Sequence, residues 1–125
     1  MNFALISLGC SKNLVDSENL TGILVNRKGF QLTNEIEEAD LVLINTCGFI
    51  GDAKKESIET ILEVAEYKQE RLKKIVVCGC LAQRYAEELL QEIPEIDAVI
   101  GTGEIDKIES VVDEILQDKK AVETS

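Results

Sequence analysis

Short apolar runs keep alternating with amphipathic stretches along this chain, and the segments joining them are only a few residues long. "FALISL" (3–8) is an apolar run stopped by Gly9 and reads as a buried strand. "NLVDSENLTGILVNRKG" reads as a helix with acids in its first turn, Leu20, Ile23 and Leu24 on one face, and Gly29 as a left-handed stop. A brief "FQLT" precedes "ADLVLINTC", whose run Leu41 to Ile44 suits a parallel strand covered on both faces. From Asp52 to about Glu70 a long helix is expected to bury Ile58, Ile61, Leu62 and Ala65 as one stripe. "KIVVC" is then a strand, Leu81 to about Ile93 a helix closed by Pro94, and "IDAVIG" a strand. Ile105, Ile108, Val111, Val112, Ile115 and Leu116 form the stripe of a last helix.

This alternation admits few architectures. Five strands joined to four helices by short connections predict an α/β fold, a doubly wound, flavodoxin-like parallel sheet with helices on both faces. The expected strand order is 2-1-3-4-5. Residues 1–117 form one domain on this reading, and 118–125, polar and without an apolar stripe, a linker or chain end.

A chain of 125 residues buries about two thirds of its unfolded surface around a single core. Its 13 basic and 24 acidic side chains leave a net charge of −11, which repels phosphate backbones and acidic lipid surfaces, so direct nucleic-acid binding is not expected. No apolar run approaches the ~20 residues of a membrane helix. "MNFALISLGC" lacks the positive leader of a signal peptide. A cytoplasmic location is expected, and four cysteines in a chain of ordinary core content do not suggest a secreted disulfide scaffold.

The cysteines fall at telling places. Cys10 follows the first strand, Cys47 ends the third and Cys80 follows the fourth, each beside a glycine, at 9, 48 and 79. In the expected order these strands are neighbours, so the three residues converge on one sheet edge, beside the switch point where such folds place ligands. Cys78, within its strand, reads as a small buried apolar residue.

Three such sulfurs admit several chemistries. The chain has no histidine to serve as base, and a thiol of pKa ~8.5 is mostly protonated at neutral pH, which disfavours thiol catalysis. A zinc site would need all four sulfurs, with "CGC" closer than the usual ligand spacing. Three thiolates suit an iron-sulfur cubane with one iron left open. A flavodoxin's hydroxyl-rich phosphate loop, a receiver's acid at the end of strand three and a cobalamin domain's histidine are all missing.

"SLGCSKNLVDSE", "NTCGFI" and "CGCLAQRY" together resemble the amino-terminal domain of the methylthiotransferases, radical S-adenosylmethionine enzymes that insert sulfur into a C–H bond and methylate it. The resemblance covers nearly the whole chain. It implies that Cys10, Cys47 and Cys80 ligate an auxiliary 4Fe-4S cluster whose open iron holds the sulfur to be transferred. "CSKN", with Phe49 and Ile50, is similar to the branch that modifies an aspartate of a small-subunit ribosomal protein; the tRNA-modifying branch is the nearest alternative. No cysteine pair has the CxxxCxxC spacing of the family's second cluster, so a separate radical S-adenosylmethionine domain and a substrate-recognition domain are implied as partners beyond this chain, which alone is expected to be inactive.

Ser11, Asn13, Asn45 and Thr46 are candidate hydrogen-bond donors to cluster sulfides, although Asn13 also suits a helix cap backed by Asp16 and Glu18. Gln83, Arg84 and Tyr85 belong to the third motif, with Tyr85 placed to pack on its own helix. A reading of another class is a non-catalytic metal-binding or docking module of the same fold.

Overall fold

The computed structural model describes residues 1–8, 11–46, 51–101 and 104–123. Its strands are β1 (Asn2–Ser7), β2 (Gln31–Leu32), β3 (Leu41–Thr46), β4 (Lys74–Gly79), β5 (Ala98–Ile100) and β6 (Ala121–Glu123). The helices are α1 (Ser11–Val25), α2 (Gly51–Glu66), α3 (Cys80–Glu92) and α4 (Ile108–Ile115). Every strand pairing is parallel, in the order β2-β1-β3-β4-β5-β6.

Alternation along the central strands divides the core in two, because successive side chains point to opposite faces. Val42, Ile44, Ile75 and Val77 pack under α2 and α3, against Ile61, Val64, Leu81 and Leu89. Leu41, Leu43, Val76 and Cys78 pack on the other face, against Leu20 and Leu24 of α1 and Ile108, Val111, Val112 and Ile115 of α4. All six residues of β3 are buried, as an interior strand covered on both sides requires. The doubly wound parallel fold expected from the sequence is therefore the fold of this chain.

The structure corrects several details. The sheet has six strands, not five: Ala121–Glu123, inside the tail read as a linker, pairs with β5 along Ala98↔Ala121 and Ile100↔Glu123. Ala121 is buried, its N–H donates to the Asp97 carbonyl at 3.1 Å, and Lys120 Nζ donates to the carbonyls of Pro94 and Ile96. Helix α1 begins at Ser11, so Asn13 is its third residue and not its cap, and Asp16 and Glu18 lie beyond its first turn. Leu62 and Leu116, expected in buried stripes, are 49% and 41% exposed; Val64 takes the buried place on α2. Gly29, at φ +85°, ends the turn after α1 as the sequence indicates.

Between β2 and β3 the chain forms only a short 3-10 turn, Ile36–Glu38, instead of a helix. This leaves a groove of about 660 Å³ lined by Ile6, Ile36, Val64, Tyr67 and the acids Glu63, Glu66 and Glu70. Its walls include the last turns of α2 and Ile6 of β1.

Candidate metal centre

At their carboxyl ends β1, β3 and β4 run side by side, with Ser7 opposite Asn45, Asn45 opposite Cys78, and Thr46 opposite Gly79. Cys47 follows Thr46 in the chain, Cys80 follows Gly79, and Cys10 immediately precedes the first residue of α1. Cys10 and Cys47 themselves lie outside the described residues, as do the side chains of Ser11 and Asn13. Among the described residues no three metal-ligating side chains converge, since two of the three candidate sulfurs are not in that set.

Cys80 is the first residue of α3 and is partly exposed. A helix amino end carries partial positive charge and unsatisfied N–H groups, an environment that favours anionic ligands. The strand turns into this helix through Gly79, at φ +98°, which a residue with a side chain rarely adopts. Space imposes the same choice. A Cβ on Gly79 would lie 2.3 Å from the Thr46 carbonyl oxygen and 2.6 Å from Asn45 Oδ1.

Two positions earlier the environment is opposite. Cys78 is fully buried in the α1/α4 face of the core, and its thiol donates to the Ile44 carbonyl at 3.6 Å. Burial, reinforced by the negative charge of Asp16, pushes that thiol up to about 12, so it stays protonated at neutral pH. Within "CGC", one sulfur is sequestered in the core and the other sits at a helix start with access to solvent.

Asn45 and Thr46 are fully buried. Asn45 Nδ2 donates to Ser17 Oγ at 3.0 Å, and the single hydroxyl proton of Thr46 goes to the Cys78 carbonyl at 2.6 Å. The Thr46 hydroxyl is thus directed at the backbone of β4. Ser17 was not singled out in the sequence, but a signal was present: it lies three residues before Leu20 on the core-facing side of α1, where a polar residue needs a partner.

Tyr85 marks an interruption of α3, with φ −123° and ψ 29°. Lys54 Nζ, from the first turn of α2, lies 4.0 Å from its ring centroid, and the Arg84 guanidinium lies 5.7 Å away. Tyr85 therefore links α3 to the first turn of α2 through Lys54, and its ring packs against the buried core cluster on that face.

The family described as "Uncharacterized protein family UPF0004" matches residues 2–101. The chain belongs to this family. This UPF0004 chain is also similar to curated proteins named "Ribosomal protein uS12 methylthiotransferase RimO". It is 57% identical to that of Lachnoclostridium phytofermentans, over 93% of this chain and 26% of the relative. With that of Clostridioides difficile it shares 56%, over 92% of this chain and 26% of the relative. For that of Thermoanaerobacter sp. the identity is 51%, over 98% of this chain and 28% of the relative. This chain thus spans about a quarter of the length of the curated relatives it matches. No described helix is long and apolar enough to cross a membrane.

Proposed function

We propose that this UPF0004 chain is the auxiliary-cluster domain of a radical S-adenosylmethionine enzyme that methylthiolates an aspartate of a small-subunit ribosomal protein, with β6 (Ala121–Glu123) included in the domain. The carrying observation is the 51–57% identity, over more than nine tenths of the chain, to proteins named uS12 methylthiotransferase. The cysteine motifs support the same reading, because Cys10, Cys47 and Cys80 each follow, along the chain, one of the three adjacent strands β1, β3 and β4.

On this reading Cys10, Cys47 and Cys80 hold a 4Fe-4S cluster. When bound, that group supplies an open iron site for the sulfur to be transferred. The chain's own part is to present thiolates at fixed strand ends. Gly79 brings Cys80 to the amino end of α3, and Cys78 is kept out of the ligand set by burial. The donor chemistry fits, with soft sulfur ligands at an edge where the described residues offer no competing imidazole, the chain having no histidine. A second cluster, S-adenosylmethionine and recognition of the ribosomal protein belong to further domains of the enzyme, and its cytoplasmic location follows from that substrate.

Anaerobic reconstitution with iron and sulfide tests the proposal. About four irons per chain with a cubane spectrum are expected, lost in Cys10→Ala, Cys47→Ala and Cys80→Ala. Retention of zinc in place of iron, or an iron content unchanged by all three substitutions, overturns it.

A further inference from the structure

The carboxyl ends of β3 and β4 are joined by a buried polar arrangement that the hydrophobic core does not require. We infer that Ser17, Asn45, Thr46 and Gly79 form a clasp that fixes the spacing of the segments bearing Cys10, Cys47 and Cys80 before any metal arrives. This inference rests on the cluster reading above and assigns these four residues a positioning role within it.

Each link of the clasp joins two of the three segments. Ser17 belongs to α1, the helix that Cys10 precedes, and its Oγ accepts from Asn45 Nδ2 at 3.0 Å. The backbone adds to this link, since Leu8 N–H donates to the Asn45 carbonyl at 2.9 Å. Asn45 and Thr46 are the two residues before Cys47. Thr46 Oγ1 donates at 2.6 Å to the Cys78 carbonyl, two residues before Cys80. Gly79 completes the contact by having no side chain. Its Cα lies so close to Thr46 and Asn45 that a Cβ would reach 2.3–2.8 Å from three of their atoms.

The burial of these groups gives the arrangement its stiffness. Ser17 is 4% exposed, and Asn45 and Thr46 are 0% exposed. Hydrogen bonds in such surroundings are strengthened by the low local dielectric and are costly to leave half-made. A sheet can end at hydrophobic residues without polar clasps. Polar side chains buried at the ends of the strands carrying the candidate ligands instead hold those ends in one relative position. A metal group bound through several loops benefits from this, because ordering the ligands beforehand removes part of the entropic cost of binding.

The test compares Thr46→Val, which removes the hydroxyl at nearly constant shape, with Thr46→Ser, which keeps it, and Ser17→Ala, which removes the acceptor from α1. Each variant of the chain is reconstituted anaerobically with iron and sulfide. Iron and sulfide content and the reduced-state electron paramagnetic resonance spectrum are recorded, with circular dichroism melting of the metal-free chain as a separate measure of folding. Thr46→Val and Ser17→Ala are expected to melt cooperatively yet lose at least half of the wild-type iron or give a broadened signal, and Thr46→Ser to recover both. Wild-type iron content and spectrum in folded Thr46→Val and Ser17→Ala overturn the clasp while leaving the cluster reading intact. If Thr46→Val does not fold, Ser17→Ala decides the matter. A wild-type chain that takes up no iron overturns the cluster reading and the clasp with it.

Discussion

The thiol of Cys78 donates to the Ile44 carbonyl at 3.6 Å, from a side chain with no exposure to solvent. That relationship separates it from Cys80 only two residues away, and it sets the first prediction. Cys78→Ala is expected to keep the wild-type iron content at a stability cost of about 1 kcal/mol, typical of a small truncation in a core. Cys80→Ala is expected to leave stability nearly unchanged and to abolish iron binding. In the native metal-free chain, alkylation followed by peptide mapping should label Cys80 well before Cys78. Fast labelling of Cys78 would contradict its burial.

Asp97 is a second point where one side chain serves several elements. It accepts from Ile75 N–H at 2.9 Å and from Lys68 Nζ at 2.6 Å, and Lys74 Nζ lies 3.9 Å away. Its side chain is 14% exposed. Replacing it with Ala strands the buried N–H at the start of β4, and a loss of about 1–3 kcal/mol in urea denaturation is expected.

Stability toward acid should depend on Asp40. Burial pushes its carboxyl up, but hydrogen bonds from Asn2 N–H and Arg71, with the positive charges of Arg71 and Lys73, outweigh that and hold it below its ordinary value of 3.8. A depressed folded-state pKa means that the unfolded chain takes up the proton first. The contribution is therefore present above about pH 4 and lost as pH falls through the folded value. Asp40→Asn should flatten the acid limb of the stability profile below pH ~4 without moving the alkaline limb. An unchanged acid limb would remove Asp40 from the account.

Ending the chain after Asp118 deletes β6. Ala121 is buried against the core and its N–H is bonded to Asp97, while Lys120 ties two carbonyls near the start of β5. Truncation should cost about 1–3 kcal/mol and speed amide exchange in β5 by the corresponding factor. A linker would show neither effect.

Much of this was legible in the sequence because it depended on local chemistry. The apolar runs of β1, β3 and β4 announce buried parallel strands, and Gly29 announces its turn, since period and conformational freedom are properties of the segment itself. The order of the central strands was legible too, because short right-handed crossovers leave few arrangements of alternating strands and helices.

Other features needed the assembled sheet. β6 is three residues that follow the charged run Asp118–Lys120, and of its described side chains Ala121 is buried while Val122 is 44% exposed, so no pattern marks it until β5 offers an edge. Leu62 and Val64 are both apolar, and which of them enters the core depends on how α2 is rotated over the sheet. The difference between Cys78 and Cys80 arises because Gly79 turns the chain from β4 into α3, placing consecutive sulfurs in core and solvent.

The sequence by itself determined the α/β alternation, the acidic charge, the absence of histidine and the three sulfur motifs. Only the tertiary structure decided that Thr46 serves the Cys78 carbonyl and Asn45 serves Ser17, because these bonds join residues 28 and 32 positions apart. Such partners are chosen when β1, β3 and β4 come into register and exclude water from their ends, leaving each buried polar group only the neighbour that the fold provides.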